Sequence, residues 1–371
     1  MSMYTRDELR ILQGLPLEQK ITMTKQRILA WHQAWCKVTI ANEHTGEMRE
    51  VVCDTREFGW ESSLPLKAYE FVHAVEPGQV YVSFSGGKDS TVLKHIVDSM
   101  ALDVPAMFIN TGLEYPELQK FVGDVKAGKH ACFNPDVEII KPSMRFDEVI
   151  RVYGYPVVSK EVAERIYYAK RGSAWAIECV HGRNPDGTKS EFKQHMAHWA
   201  YLCDAPFDVS HKCCSIMKKQ PAMRYERATG RKPIVGTLAS ESQLRRAQWL
   251  KVGCNSFSGK RPRCAPLSFW TEQDILLYIK QFDVPLCTAY GEITGNGRLR
   301  TTGCNRTGCM FCAFGAHLEK SPNRFQALKL THPRQFAYCI GGGEMVQGKW
   351  RPNKDGLGLG YVLDYIGVEY D

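Results

Sequence analysis

Two glycines stand between an apolar run and a helical pattern, in the segment Ser85-Gly-Gly-Lys-Asp-Ser90. Because glycine has no Cβ, backbone N–H groups can approach a ligand closely there. The helix that follows begins with unpaired N–H groups and the positive end of its dipole, so the turn suits an anion. Ser85 and Ser90 add hydroxyls, and Lys88 adds a cation. The spacing excludes the Walker-type loop G-x-x-x-x-G-K-S/T.

Cysteines form a second set of candidate residues, with 14 in a chain of 371 residues. Cys309 and Cys312 are spaced so that two thiolates of one turn can face one metal centre. The adjacent Cys213 and Cys214 lie far upstream, and Cys304 is near enough in the chain to reach the same centre. Four thiolates suit either tetrahedral zinc or a [4Fe–4S] cluster, and the residues alone leave both open.

Charge is distributed unevenly along the chain. Between His211 and Arg263 there are 13 Lys or Arg and two acidic residues, against a net charge of +8 for the whole chain. This segment predicts a surface for an anion, either a nucleotide or a nucleic acid. No apolar run reaches the roughly 20 residues that cross a bilayer, and the first thirty residues lack a signal-peptide core. We therefore expect no membrane partner, a cytoplasmic location and free thiols.

The elements that position these residues alternate between strands and helices. Strands are predicted before Ser85 and at 104–110, 137–140 and 232–237, and helices after the glycines and at 116–125, 146–153, 160–171 and 270–280. This order predicts an α/β fold with a mainly parallel sheet and helices on both faces. Ligands bind at the carboxyl ends of such strands, so residues 85–90, 110–115 and 237–246 should share one rim.

The chain is predicted to divide into three consecutive segments: a helical N-terminal extension (1–65), a nucleotide-binding domain with the cysteines (66–320) and a glycine-rich tail (321–371). The helical pattern of the first segment runs to about residue 45, and another helix is predicted from Leu64 to His73. Glycine-rich runs at 341–343 and 356–360 are typical of a flexible tail or lid.

The loop Ser85–Ser90 resembles the SGGxDS loop of the PP-loop ATP pyrophosphatase superfamily, which grips a pyrophosphate or an equivalent anion of an adenine nucleotide. Further segments occur in the order found in the phosphoadenylyl sulfate and adenylyl sulfate reductase family, at 110–116, 211–221, 236–246, 266–275 and 308–312. The similarity covers roughly residues 75–320. It implies the PP-loop variant of the α/β fold, with a cysteine-rich C-terminal part.

The resemblance also implies ligands and residue roles. An adenine nucleotide, either ATP or a sulfonucleotide, would contact Ser83, Ser85, Gly86, Gly87, Lys88, Asp89, Ser90, Asn110, Thr111, Gly112 and Gly236. Catalytic roles fall to Lys88, Asp89, Arg245 and Arg246, with Lys218 as a further candidate on the anion-binding rim. A [4Fe–4S] cluster would be held by Cys213, Cys214, Cys309 and Cys312, with Cys304 as the reserve ligand. Mg²⁺, a nucleic acid, a sulfur-donor or reductant protein and a second copy of the chain are further expected partners.

The sequence departs from this family in one respect. The reductases end in a Glu-Cys-Gly-x-His segment whose cysteine attacks the nucleotide sulfur, and the 371 residues contain no such segment; Cys339 alone follows Cys312. Relatives of the same fold, including DNA phosphorothioation enzymes, hydrolyse ATP and help to move sulfur into nucleic acid. Two mechanisms are therefore open, reductive cleavage of a sulfonucleotide and ATP-driven sulfur transfer, and the missing segment separates them; a nucleotide-sensing module with a structural metal is the third hypothesis.

Overall fold

The computed structural model describes residues 3–56, 64, 66–184, 186–191, 194–259 and 261–371. Contacts divide the chain into two compact units that are interleaved in sequence. The first comprises Met1–Ile109, Tyr115–Ile140 and Ala222–Thr307, and the second Asn110–Glu114, Lys141–Pro221 and Gly308–Asp371. This division differs from the three consecutive segments suggested by the sequence, which remain a prediction.

The elements of the described residues are as follows. The α-helices are α1 (Arg6–Gln13), α2 (Leu17–Ala34), α3 (Lys88–Asp98), α4 (Pro116–Lys126), α5 (Phe146–Tyr153), α6 (Lys160–Ala169), α7 (Ala174–Val180), α8 (Gln194–Ala197), α9 (Gln220–Thr229), α10 (Gln243–Val252), α11 (Glu272–Gln281), α12 (Arg324–Thr331), α13 (Pro333–Ile340) and α14 (Leu359–Tyr365). The strands are β1 (Trp35–Asn42), β2 (Met48–Asp54), β3 (Glu70–Pro77), β4 (Val80–Ser83), β5 (Ala106–Ile109), β6 (Val137–Ile140), β7 (Val157–Val158), β8 (Lys232–Val235), β9 (Asn255–Ser256), β10 (Arg263–Cys264), β11 (Ile293–Thr294), β12 (Arg300–Thr301), β13 (Ala313–Phe314), β14 (Glu344–Val346) and β15 (Lys349–Arg351).

The first unit is built on a sheet with the strand order β6-β5-β4-β8-β10-β9. Pairing is parallel from β6 to β10, and β9 is antiparallel to β10 at the edge. Successive side chains of β4 point to opposite faces. Val80 and Val82 pack with residues of α3 and α4, whereas Tyr81 packs with Tyr225 of α9. Helices therefore cover both faces, and the predicted α/β fold with a mainly parallel sheet is confirmed.

The N-terminal part of this unit is only partly helical. Helices α1 and α2 agree with the sequence pattern, but β1, β2 and β3 form an antiparallel sheet in the order β2-β1-β3. The helical expectation was wrong over 35–42 and over 70–73. Val38 and Ile40 of β1 are fully buried while Lys37 and Thr39, which alternate with them, are only half-buried; this is the period of two that a strand requires. The intervening residues 57–63 and 65 lie outside the described residues.

The second unit contains α5 to α8, α12 to α14, the parallel pair β7–β13 and the hairpin β14–β15. Its glycine-rich runs are packed, contrary to the expected flexible tail or lid. Gly343 has φ +90°, and a Cβ there would lie 2.3 Å from the Trp350 ring. The Trp350 indole donates to the Gly358 carbonyl at 2.8 Å. These glycines therefore serve close packing around a tryptophan. No helix in the described part of the chain is long and apolar enough to cross a bilayer.

Candidate nucleotide site and cysteine cluster

The glycine loop joins β4 to α3 in the first unit. Gly86 has φ +71°, and a Cβ there would lie 2.9 Å from the Leu118 and Val122 side chains. Gly236, directly after the neighbouring strand β8, approaches the same turn, because its Cβ would lie 2.9 Å from the carbonyl oxygen of Asp89. Both glycines are thus needed to bring the loop and the start of α3 into place.

The serines of the loop hold its shape. The Ser90 hydroxyl donates to the Gly87 carbonyl at 2.9 Å and accepts from the Ser85 backbone nitrogen at 3.1 Å. The two serine hydroxyls are 2.9 Å apart. Ser85 is exposed whereas Ser90 is buried. Ser90 therefore organises the turn, and Ser85 presents a hydroxyl to solvent or to a ligand. Ser83, the last residue of β4, is half-buried behind them.

Lys88 already has protein partners at both of its nitrogens. Its backbone N–H donates to the Tyr290 hydroxyl at 3.0 Å, and that hydroxyl lies 2.8 Å from Oγ1 of Thr307. Its ammonium donates to the Asn305 carbonyl at 2.8 Å and lies 3.2 Å from Glu272. Burial raises the pKa of Tyr290 to about 12, so the phenol is neutral. A neutral hydroxyl oxygen thus occupies the helix N-terminus, where the sequence predicts an anion.

Asp89 lies at the same turn with an unpaired oxygen. Among the described residues, its Oδ1 is buried and has no hydrogen-bond partner. Burial raises its pKa above the ordinary value, while Lys88 and Arg306 act in the opposite direction. A buried carboxylate oxygen without a partner is costly for folding. Such a group is a candidate for contact with a ligand or a metal ion.

A cavity of about 780 Å³ opens beside this turn in the first unit. Its walls come from the start of α3, the turn after β8, the start of α11 and the hairpin β11–β12 with the segment that follows. The charged groups that line it are Lys88, Asp89, Glu241, Glu272, Arg298, Arg300 and Arg306. The volume lies within the range of about 300–1,000 Å³ that is usual for small-molecule sites.

Gln273 fixes the hairpin β11–β12 at this cavity, which is termed the basic hairpin because it carries Arg298 and Arg300. Its amide nitrogen donates to the Leu299 carbonyl at 3.0 Å, and its amide oxygen accepts from the Leu299 nitrogen at 2.8 Å. One side chain thus satisfies both backbone groups of Leu299, as a neighbouring strand would. Arg298 and Arg300, on either side of Leu299, both line the cavity.

The motif after β5 belongs to the second unit. Thr111 donates from its backbone nitrogen and its hydroxyl to the Glu114 carboxylate, at 3.0 and 2.6 Å. The Gly112 nitrogen donates to Oδ1 of Asn110 at 3.0 Å. The Leu113 carbonyl accepts from the backbone nitrogen of Met310 at 2.8 Å. The predicted nucleotide contacts Asn110, Thr111 and Gly112 therefore form a turn that is tied to the C-x-x-C segment.

All four predicted cluster cysteines lie in the second unit. Cys213 and Cys214 begin a helical segment that continues as a π turn at Ser215–Lys219, and the Cys312 nitrogen closes its own turn on the Cys309 carbonyl at 3.2 Å. A hydrogen bond from the Cys213 thiol lowers the pKa of Cys214 to about 5, helped by the ammonium of Lys160. The same pairing raises the pKa of Cys213.

The C-x-x-C thiols are electrostatically coupled to this pair. Burial raises the pKa of Cys309 to about 11, although the ammonium of Lys218 lies against it and opposes the change. Cys309 and Cys312 both add to the raised pKa of Cys213. Within the described residues, however, no group of three or more His, Cys, Asp or Glu is arranged to hold a metal ion. The cluster assignment therefore remains a prediction.

The family can be recognised from more than half of the chain. Residues 79–171 and 173–314 match the family model described as the phosphoadenosine phosphosulfate reductase domain. The chain belongs to this family. The match confirms the predicted PP-loop relationship and supports a function of the sulfonucleotide reductase type. No curated protein matches the chain.

Arg245 and Arg246, the two arginines with predicted catalytic roles, lie outside the wall of this cavity. Arg245 forms an ion pair with Glu241, which also lies 3.3 Å from Arg306. Arg246 is exposed on α10, and neither Arg245 nor Arg246 lines the cavity. Their catalytic roles stay predictions.

Sequence reasoning missed the arginines that do line the reductase-domain cavity, Arg298, Arg300 and Arg306, and it also missed Tyr290. The alternating Arg-x-Arg directly after Gly295-Asn-Gly297 was an available signal for a basic hairpin. The reserve ligand Cys304 lies in the first unit, where its thiol contacts Tyr115. Cys339 is buried in α13, and burial raises its pKa.

Proposed function

We propose that the chain binds phosphoadenylyl sulfate in the cavity of the first unit and takes part in its reductive cleavage. One observation supports this function above all: the first two residues of α3, Lys88 and Asp89, and three arginines border a single cavity of about 780 Å³. Nucleotide phosphates are bound by helix N-termini and by arginines, which offer paired N–H donors. The family match supports the same reaction type.

The proposed reaction breaks the bond between the sulfur and the anhydride oxygen. Two electrons from a thiol pair, which becomes a disulfide, reduce the sulfonyl group to sulfite, and adenosine 3′,5′-bisphosphate leaves. In this proposal a 5′-phosphate oxygen replaces the Tyr290 hydroxyl at the Lys88 N–H. Arg306 lies on the cavity wall and can neutralise charge on the leaving phosphate. The exposed Ser85 hydroxyl is a further donor.

The basic hairpin favours the phosphoadenylyl form over adenylyl sulfate. Arg298 and Arg300 line the cavity from a different element than the glycine loop, and Gln273 holds the backbone of Leu299 between them. Phosphoadenylyl sulfate carries a 3′-phosphate that adenylyl sulfate lacks, and a second group of cations can bind this phosphate. Charge-assisted hydrogen bonds of this kind contribute about 1.5–3 kcal/mol each.

The cysteines of the second unit fit an iron–sulfur cluster chemically. Thiolate is the ligand form, and the Cys213 thiol with the Lys160 ammonium lowers the pKa of Cys214 below its ordinary value, which favours that form. The thiols of Cys309 and Cys312 both act on the pKa of Cys213, so the two cysteine pairs lie near each other. A [4Fe–4S] cluster binds each thiolate at a separate iron, so we propose Cys213, Cys214, Cys309 and Cys312 as its ligands. When bound, it would supply redox and electrostatic support to sulfur chemistry.

The decisive experiment is a turnover assay of anaerobically purified protein with phosphoadenylyl sulfate, adenylyl sulfate and ATP side by side, in the presence of a dithiol. Sulfite release from phosphoadenylyl sulfate is the expected result. The variant Arg298→Ala/Arg300→Ala should bind adenosine 3′,5′-bisphosphate at least about tenfold more weakly and AMP unchanged. Cleavage of ATP without turnover of either sulfonucleotide would instead favour ATP-dependent sulfur transfer.

A further inference from the structure

Helix α2 carries two polar side chains into the interior of the first unit. Lys20 and Thr24 lie one helical turn apart, and they are 1% and 0% exposed. A lysine is almost never fully buried unless its ammonium has partners, because an unpaired charge is costly to remove from water. Helix α2 also precedes residue 79, where the match to the reductase domain begins. The partners of Lys20 and Thr24 therefore show what a helix outside the matched domain contributes to this unit.

Lys20 pairs with the residue that closes the cap of α11. Its ammonium donates to Oδ2 of Asp274 at 2.6 Å and to the Gln13 carbonyl at 2.7 Å. The same Asp274 oxygen accepts from the backbone nitrogen and the hydroxyl of Thr271, at 2.7 and 2.8 Å. The Asp274 side chain is only 14% exposed. Loss of the Lys20 ammonium would leave this carboxylate largely buried without its counter-ion, and the capped turn would have to rearrange.

Thr24 provides a second contact between α2 and the same segment. The indole nitrogen of Trp270 donates to the Thr24 hydroxyl oxygen at 3.0 Å. The Thr24 hydroxyl in turn donates to the Pro266 carbonyl at 3.4 Å. Trp270 is fully buried and directly precedes the capping residue of α11. Helix α2 thus holds the entry to α11 and its first turn through two buried polar contacts.

This first turn of α11 also forms part of the cavity wall. Thr271, Glu272 and Gln273 all line the cavity, whereas Asp274 and Lys20 do not. Glu272 lies 3.2 Å from the ammonium of Lys88. Gln273 makes the two hydrogen bonds to Leu299 that fix the basic hairpin. Because a displacement of about 1 Å is enough to impair a positioned group, a rearranged cap would act on the cavity through this turn.

We propose that Lys20 is a positioning residue of the nucleotide site, and that α2 is thereby a part of that site although it lies outside the matched domain. The Lys20 ammonium holds the Asp274 carboxylate, the cap holds the first turn of α11, and Gln273 on that turn keeps the basic hairpin at the cavity. This inference rests on the proposed function, since its effect is the preference for a ligand with a second phosphate. Lys20 itself needs no contact with the ligand.

The test compares two ligands, adenosine 3′,5′-bisphosphate and AMP, by calorimetry on the full-length protein. In Lys20→Met we expect the dissociation constant of the bisphosphate to rise by about three- to tenfold, and that of AMP to change by less than about twofold. Lys94→Met is the matched control, because Lys94 is also fully buried and paired with an aspartate, Asp98, and does not line the cavity. It should lower the melting temperature but leave the ratio of the two dissociation constants unchanged.

A double-mutant cycle separates positioning from general stability. If Lys20 acts through Gln273, then Lys20→Met should not change the ratio further in a Gln273→Ala background, whereas independent effects would multiply. Thr24→Val is a milder variant of the same contact and should shift the ratio in the same direction by a smaller factor. It replaces Lys20→Met in the cycle if that variant does not fold.

Three results would overturn the proposal. They are an unchanged ratio in the folded variant, equal losses for the two nucleotides, and multiplied effects in the double variant. Absence of nucleotide binding by the wild-type protein is a distinct outcome, and it would contradict the proposed function itself.

Discussion

The hydroxyl of Tyr290 accepts a hydrogen bond from the backbone nitrogen of Lys88 at 3.0 Å, although the two residues are 202 positions apart in the chain. This contact uses one of the first N–H groups of α3, which have no partner within the helix. Thr307 lies 2.8 Å from the same hydroxyl and orients it. The Tyr290 hydroxyl oxygen therefore occupies the position proposed for a phosphate oxygen, and a bound ligand has to displace it.

Removal of this hydroxyl should strengthen nucleotide binding. In Tyr290→Phe the Lys88 N–H has no protein acceptor, so the ligand no longer competes with a hydrogen bond of about 0.5–1.5 kcal/mol. We expect the dissociation constant of adenosine 3′,5′-bisphosphate to fall by about three- to tenfold, as measured by calorimetry. Thr307→Val is the companion variant and should have a smaller effect in the same direction. Weaker binding in Tyr290→Phe would mean that the hydroxyl itself contacts the ligand.

The Asp89 carboxylate should lower the free energy of unfolding at neutral pH. Its pKa is raised in the folded chain above the ordinary 3.8, so the folded state holds the proton more tightly than the unfolded state and ionisation opposes folding. Asp89→Asn should therefore raise the free energy of unfolding at pH 7 by on the order of 1 kcal/mol. The gain should disappear below pH 3.8, where the carboxyl is protonated in both states. Denaturant unfolding at both pH values measures this.

The same Asp89→Asn variant should lose most of its turnover with a sulfonucleotide. The matched control is Asp283→Asn, which changes an exposed aspartate just after α11 and should alter neither stability nor activity. A destabilised Asp89→Asn protein at pH 7 would show that the carboxylate is satisfied in solution, contrary to its unpaired oxygen here.

Gln273 should act on ligand selectivity through the basic hairpin. Gln273→Ala removes both hydrogen bonds to Leu299, so Arg298 and Arg300 lose their fixed position. We expect about tenfold weaker binding of adenosine 3′,5′-bisphosphate with little change for AMP, measured as the ratio of the two dissociation constants. Gln281→Ala, at the other end of α11, is the control. Equal losses for both nucleotides would assign Gln273 to general folding of the cavity instead.

The proposed cluster predicts which cysteine variants lose iron and which keep it. After anaerobic reconstitution, Cys214→Ser and Cys309→Ser should lose iron and visible absorbance. Cys304→Ser, in the first unit, and Cys132→Ser, at an exposed position, should keep both. Iron and acid-labile sulfide analysis measures the stoichiometry. One zinc and no iron in the wild-type protein would refute the cluster, and loss of iron in Cys304→Ser alone would make Cys304 a ligand.

Local features of this protein were readable from the sequence. The strands β4, β5, β6 and β8 and the helices α3 to α6 follow from apolar periodicity. Thr271 is a residue type that favours a helix N-cap, and it caps α11 because its hydroxyl accepts from the Asp274 nitrogen three residues on. The glycine turn and the cysteine spacings are likewise properties of a few consecutive residues, and they led to the family that the domain match confirms.

Tertiary structure decided which groups meet. β1 carries Val38, Thr39 and Ile40, which favour a strand, and pairing with β2 and β3 places it in a sheet. Arg245 is paired with Glu241. Arg298 and Arg300 reach the cavity on a hairpin that Gln273 fixes, although Leu299 follows Gln273 by more than twenty residues. The acceptor for the Lys88 N–H comes from Tyr290, far along the chain. Such pairings depend on how distant segments pack, and single-sequence periodicity carries no information about that packing.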